Sequence, residues 1–279
     1  MRTPVIAISL LLLAAPALAL ELPEAELEAS GPSWAPLGSA TIQPGVQMVT
    51  KGAQCTSNFA FTDETSPGNY DVYLGYAAHC AGLGGSTDTN GCLAGSEPMG
   101  TAVQIDGANH VGRLAWSSWD AMIRNGEPTS SDACAYNDFA LVKLDPRDHS
   151  RVNPSVLHFG GPVGLCSGPG FGAEVISYGN SGLRFGLDPI APKQGFSLGT
   201  SGSGWTTTVY MASPGVPGDS GSGYMDADHC AFGVTSTVAI APFPLSNGIS
   251  SLHLGLAYAA ADGFDVDLAT AAPITSLFV

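Results

Sequence analysis

The sequence predicts an all-β protein, a sandwich or a barrel, from two observations. From Val46 onward the chain is cut into short lengths by turn-forming residues, with 36 Gly and 20 Pro among 279 residues. Between these breaks lie short runs rich in β-branched and aromatic residues. Gly reaches backbone angles other residues avoid and Pro locks its own, so both interrupt regular structure. Many short strands separated by such turns are the pattern of a sandwich or barrel.

In chain order the strand-like runs are residues 55–61, 70–77, 101–105, 139–144, 173–178, 206–211, 231–240 and 264–268. One helix is predicted over Leu252–Ala261, where Leu, Ala and Tyr recur at helical spacing, and it should pack against a sheet. The acidic stretch 262–267 lacks the spacing and closing Glu of a calcium loop and reads as a turn into the last strand. Neither an internal repeat nor a phosphate-cradling glycine motif is present.

The N-terminus carries an address. Arg2 precedes the apolar stretch 5–15, then Pro16 and Ala17-Leu18-Ala19, the pattern of a secretory signal peptide cut after Ala19. That stretch is too short to span a bilayer, and no later one reaches the ~20 apolar residues a span requires. The expected organisation is a signal peptide (1–19), an acidic leader or short propeptide (20–45) and one domain (46–279). The leader holds Glu21, Glu24, Glu26 and Glu28 before Pro32 and Pro36, and up to about residue 40 should lack a stable fold. The expected location is extracellular, with no stable membrane anchor.

A formal charge of −15 argues against nucleic acid as a partner, because phosphate binding needs clustered Lys and Arg. Polybasic attachment to lipid is equally unsupported. Six cysteines, an even number, suit an oxidising compartment and allow 15 pairings. No two stand at Cys-x-x-Cys spacing, so a zinc site is not expected.

Three fragments carry chemistry: Ala-Ala-His-Cys ending at Cys80, Asn137-Asp-Phe-Ala-Leu-Val-Lys-Leu144, and Gly218-Asp-Ser-Gly-Ser-Gly223. A serine hydroxyl is a poor nucleophile at neutral pH and needs a base, which itself needs an acid to fix its tautomer. The fragments offer one residue for each role, in the order His, Asp, Ser.

At these residues the chain resembles the chymotrypsin-like (trypsin-fold) serine proteases of the bacterial secreted type, over roughly residues 46–259. The resemblance implies two antiparallel Greek-key β-barrels with a short helix towards the C-terminus. His79 and Asp138 would sit on the first barrel and Ser220 on the second. It implies His79 as general base, Asp138 as its orienting acid, Ser220 as nucleophile, and the amides of Gly218 and Ser220 as an oxyanion hole. It also implies a Cys55–Cys80 disulfide. Position then favours Cys92 with Cys134 and Cys166 with Cys230, the other pairings staying open.

The same likeness marks Pro214 and Gly215 at the primary pocket and Ser236, Thr237 and Val238 as the strand that receives an extended substrate. Pro214 stands where trypsin-like enzymes carry an aspartate, which argues against tryptic cleavage. Val238, where many relatives have glycine, would shorten the pocket and favour small or medium apolar residues. Neither a metal nor an organic cofactor is implied, the substrate is a peptide or protein, and a monomer is expected.

Three departures from the family pattern stand out. No Ile-Val-Gly-Gly stretch supplies a new N-terminal amine for Asp219, so Asp219 needs another partner, for which Arg184 is the candidate. Ser222 replaces a usual glycine, and Tyr76 stands where Ser or Thr is common. A non-catalytic binding protein on the same scaffold is the competing reading. An α/β-hydrolase esterase fits poorly, because its Gly-x-Ser-x-Gly elbow is incomplete here and its chain order is reversed.

Overall fold

A computed structural model describes residues 32–85, 88–185, 188–238 and 245–274. The signal peptide, most of the acidic leader and the end of the 231–240 run lie outside the described residues. The described residues belong to one unit, residues 31–279.

Two sheets carry the fold, antiparallel except where Gly164–Leu165 runs parallel to Cys230–Val238. The first contains β1 (Gln47–Thr50), β2 (Ala53–Thr56), β3 (Ala60–Ser66), β4 (Asn69–Tyr76), β5 (Ala102–Ile105), β6 (Gly112–Ser117) and β7 (Ala140–Lys143). The second contains β8 (Gly164–Leu165), β9 (Glu174–Tyr178), β10 (Pro192–Ser201), β11 (Thr206–Met211), β12 (Gly223–Asp226), β13 (Cys230–Val238) and β14 (Asn247–Ser251). A last strand, β15 (Asp267–Leu268), returns to the first sheet beside β3.

The second sheet closes on itself: β12, β9, β10, β11, β14 and β13 each pair with the next, and β13 pairs back to β12. Six strands suffice because inward side chains fill the interior, here Val175, Val209, Met211, Tyr224, Phe232 and Ile249. The first sheet runs β3, β4, β7, β6, β5, β1, β2 and curls rather than closing through a seventh ladder. The chain itself bridges its ends, passing from β2 into β3 through a corner where Asn58 N–H donates to Gly75 O (2.8 Å) and Gly75 N–H to Phe59 O (3.0 Å).

Alternation explains why these runs are strands. In β1 Met48 and Thr50 face inward while Gln47 and Val49 are partly exposed; in β5 Val103 and Ile105 are buried and Ala102 and Gln104 exposed. The strands that sequence reading passes over, including β1, β6, β10, β12 and β14, are short or Gly- and Ser-rich. Burial on assembly selects such segments more than their own propensity does.

Four α-helices are described: α1 (Gly91–Ala94), α2 (Ser118–Arg124), α3 (Asp132–Tyr136) and α4 (Leu252–Ala261). In α4, Ser251 accepts the Leu254 amide as N-cap (3.3 Å), and Leu252, Leu256 and Ala259 are buried. Disulfides join Cys55 to Cys80, Cys92 to Cys134 and Cys166 to Cys230. The second of these fastens α1 to α3, just ahead of Asp138.

Residues 32–45 are more ordered than an acidic leader would be. Ala35 N–H donates to Val152 O (2.8 Å), Asn153 donates to Ala35 O (2.7 Å), and Ile42 is fully buried beside Val152. The charge of the leader lies upstream of Pro32, and the residues after it are apolar enough to pack.

Candidate active site

His79 and Asp138 reach each other from adjacent strands. β4 pairs with β7 so that Tyr76 faces Ala140, which puts the short turn Ala78–Ala81 beside the residues leading into β7. His79 Nδ1 lies 2.6 Å from Asp138 Oδ2, and the His79 backbone N–H donates to Oδ1 at 2.9 Å. Asp138 is thus gripped by both the ring and the main chain of one residue. Its side chain is 5 % exposed against 26 % for His79.

These contacts set the charges. Burial opposes ionisation of Asp138, but the His79 charge and hydrogen bond, with Ser236 and the His79 amide, hold its pKa below the usual carboxylate range. Burial likewise opposes the His79 imidazolium, and Asp138 outweighs it to leave the histidine pKa raised. With Nδ1–H directed at a carboxylate, the neutral ring presents a bare Nε2, and among the described residues Nε2 makes no hydrogen bond.

Ser220 is half-buried in the loop between β11 and β12. β2 holds this loop against the first sheet. Thr56 N–H donates to Ser220 O (2.8 Å), Thr56 Oγ1 to Gly218 O (2.8 Å), and Gln54 Nε2 to Gly218 O (3.1 Å). Gly221, at φ +87°, passes so close to the His79 segment that a Cβ would lie 2.6 Å from Thr56 O and 2.8 Å from Ala77 N. The Cys55–Cys80 bridge ties the strand end carrying Thr56 to the turn carrying His79. Among the described residues Ser220 Oγ makes no hydrogen bond. The structure therefore shows the His79–Asp138 bond but none between His79 and Ser220.

The amides of Gly218 and Ser220 are also unbonded among the described residues. Each is aimed by its own peptide plane, since a trans peptide points its N–H opposite its C=O. Ser181 Oγ donates to Pro217 O, and Ser222 N–H donates to Asp219 O (3.1 Å). Each carbonyl is therefore anchored, and the N–H of its own peptide points away from that anchor. Gly218 takes φ +99°, a conformation suited to glycine, and a Cβ there would collide with Gln54.

Asp219 points the other way, into the protein, and is fully buried. Arg184 is there, with Nη2 2.6 Å from Oδ2, but so is Lys193, with Nζ also 2.6 Å from Oδ2. The amides of Ser181 and Val216 complete the set at 3.1 and 3.0 Å. Burial opposes the Asp219 charge and these donors, Arg184 first, outweigh it, so its pKa is lowered. Sequence reading names Arg184 and misses Lys193, since nothing in a strand pattern marks one lysine as inward-facing.

The two departures near the fragments have physical explanations. Ser222 is fully buried, with Oγ 2.7 Å from Thr235 Oγ1, and the positive φ falls on Gly221 instead. Tyr76 is fully buried with its hydroxyl 3.1 Å from Thr50 Oγ1, and burial pushes its pKa up to about 12.

The residues expected around a substrate divide between two tasks. Ser236 Oγ donates to Asp138 Oδ2 at 2.6 Å, so its side chain serves the His79–Asp138 pair. Thr237 and Val238 continue β13 with β14 on one side, pairing with Gly248 and Asn247. On the other side β12 reaches only as far as Val234, and the last bond there joins Gly221 N–H to Thr235 O (2.8 Å). Pro214 is half-buried and its carbonyl faces Arg184 (3.5 Å). Gly215 N–H donates to Asn247 Oδ1 (3.1 Å), whose Nδ2 donates to Thr237 O (3.3 Å). The fully buried Asn247 therefore ties Gly215 to Thr237, a link that no sequence spacing suggests.

This topology has counterparts among solved structures. Thermobifida fusca Protease A superimposes with a TM-score of 0.52 at 16 % identity, covering 83 % of this chain and all of that one. A glutamic-acid-specific serine protease gives 0.51 at 16 % identity, covering 82 % of this chain and all of that one. The fold is the chymotrypsin-like double barrel. Its first half is the curled sheet, which carries His79, and its second is the closed six-strand ring, which carries Ser220. No family model matches the chain, and no curated protein matches it.

Proposed function

We propose that the protein is a secreted serine endopeptidase acting through an acyl-enzyme. The observation that carries this reading is the His79–Asp138 contact at 2.6 Å, with Nε2 and the amides of Gly218 and Ser220 all unbonded among the described residues. Ser220 Oγ attacks the scissile carbonyl carbon while Nε2 takes its proton. The oxyanion forms against the Gly218 and Ser220 amides, each such donor contributing about 3–4 kcal/mol in related systems. The C–N bond breaks as His79 returns the proton to the leaving amine. Water, deprotonated by the same nitrogen, then attacks the ester carbon, the Oγ–C bond breaks, and Nε2 returns the proton to Ser220 Oγ as the acid leaves.

Among the described residues one side of 236–238 has no strand partner, which supports an extended peptide lying as an added strand, its main chain bonding where β12 stops. Val238, 45 % exposed at the end of that segment, together with Pro214 in place of an acid, favours small or medium apolar residues on the acyl side of the cut. Three disulfides suit an oxidising compartment, and no described helix is long and apolar enough to cross a membrane.

The test is labelling of the disulfide-intact protein with a fluorophosphonate beside a Ser220→Ala control, followed by cleavage of a peptide library. Wild type alone should react. A folded wild type that does not react, even when shortened to start near Thr41, would favour the non-catalytic binding scaffold instead.

A further inference from the structure

Arg113 on β6 and Lys143 on β7 stand directly opposite each other across the ladder that joins the two strands. Like charges in that position repel and weaken a sheet. The chain has 9 Lys and Arg against 24 Asp and Glu, yet Arg113, Lys143, Arg147 and Arg151 gather around one spot. Packing alone gives no reason to set two cations face to face in so acidic a protein. Arg113, Lys143 and Arg147 line a cavity of 340 Å³ together with His110, Asp145 and Pro146. That volume falls within the range of small-molecule sites, roughly 300–1,000 Å³. Asp138 precedes β7 and Lys143 ends it, so the cavity lies at the far end of that strand from the His79–Asp138 pair.

The neighbouring carboxylates are already engaged. Asp145 Oδ1 accepts the Arg147 amide (3.0 Å) and Nε (2.8 Å), and Oδ2 accepts Nη2 (2.7 Å). Asp71 holds the Lys143 ammonium. Asp148, fully buried, accepts the amides of Asn109 (3.2 Å) and His110 (2.8 Å), and it lies 3.0 Å from His110 Nδ1 and 3.5 Å from Arg151 Nε. Arg113 has no such partner: among the described residues its guanidinium donates only to Gly100 O, at 3.2 Å. With Asp71 counted, three cations at the cavity meet two carboxylates, a local positive surplus in a chain of net −15.

We infer that this cavity binds a tetrahedral oxyanion, a phosphate or sulfate group, with Arg113 and Arg147 as donors and Lys143 as a further counter-charge. A guanidinium meets such oxygens through paired N–H groups. The cations come from β6, β7 and the turn that follows β7, three separate segments. A tetrahedral anion offers acceptors in every direction, whereas a carboxylate offers them in one plane. A bound anion also offsets the Arg113–Lys143 repulsion. The cavity has room for a group carrying the oxyanion, so the ligand is either the free ion or its ester on a sugar.

The test is isothermal titration of the disulfide-intact protein with sodium phosphate, sodium sulfate, glucose 6-phosphate and sodium acetate at matched ionic strength. Phosphate or sulfate should bind saturably, one ion per chain, and more weakly as sodium chloride is raised. Glucose 6-phosphate binding more tightly than free phosphate assigns the ligand to an ester, and weaker binding assigns it to the free ion. Arg113→Met should weaken binding by about tenfold or more, the scale of a lost charged hydrogen bond. With the cross-strand repulsion gone, it should melt no lower than wild type when no anion is present. Arg147→Gln, on a different segment, should weaken binding too, and it carries the test if Arg113→Met does not fold. No saturable binding of phosphate, sulfate or glucose 6-phosphate by folded wild type would overturn the proposal. So would acetate binding as tightly as sulfate, or a folded variant of either kind binding like wild type.

Discussion

Ser236 Oγ donates to Asp138 Oδ2 at 2.6 Å, joining a residue of the closed barrel to a residue of the curled sheet. The bond lands on the same oxygen that meets His79 Nδ1. It therefore steadies the carboxylate whose charge fixes the histidine tautomer, and it spans the boundary between the two halves. Ser236→Ala should slow fluorophosphonate labelling about tenfold, equivalent to ~1.4 kcal/mol of barrier. A rate equal to wild type would show that the bond has no part in reactivity.

The His79–Asp138 pair makes a pH prediction with a definite sign. In the proposed role of base His79 works only when unprotonated, so labelling should rise with pH along a limb centred above the ordinary histidine value of about 6.5. In Asp138→Asn the two influences that raise the His79 pKa are gone and burial, which lowers it, remains. The limb should then move to lower pH while the plateau rate drops by roughly 10⁴-fold, as tautomer control is lost. A limb that stays in place in Asp138→Asn would contradict the electrostatic account.

Gly221 tests the packing of the Ser220 loop on the first sheet. At φ +87°, with Thr56 O and Ala77 N within 2.8 Å of any added Cβ, Gly221→Ala carries both backbone strain and a clash with main chain. Urea unfolding should show a loss of about 1–3 kcal/mol. Labelling should fall as well, because Ser220 is the adjacent residue. Gly52→Ala, also at positive φ but with open space around it, separates strain from contact.

Asp219 makes the fold acid-sensitive. Its folded pKa is lowered, so its stabilisation is present above the unfolded carboxylate value of about 3.9 and is lost as pH falls through the folded value. Asp219→Ala leaves Arg184 and Lys193 buried without their counter-charge, a loss of about 3–5 kcal/mol near neutrality. In urea melts the gap between variant and wild type should close as the solution is made more acidic than the folded Asp219 pKa. A gap unchanged in strong acid would mean that the carboxylate's charge is irrelevant.

What could be read without a structure was whatever is local along the chain. The turn-forming residues marked out an all-β body, and the helix expected over Leu252–Ala261 is there. His79, Asp138 and Ser220 stood in fragments whose chemistry makes sense only together. Assembly decided the rest, because it depends on which strands meet. Thr56 and Gln54 clamp the loop that carries Ser220 although they lie more than 160 residues upstream of Gly218. Ser236 turns from β13 to Asp138, and Asn247 links Gly215 to Thr237. Lys193 becomes a buried partner of Asp219 only because β10 pairs with β9 inside a closed barrel. A side chain's type is written in the sequence, but its burial and partners are set by strand register, where a shift of one residue turns it to the other face.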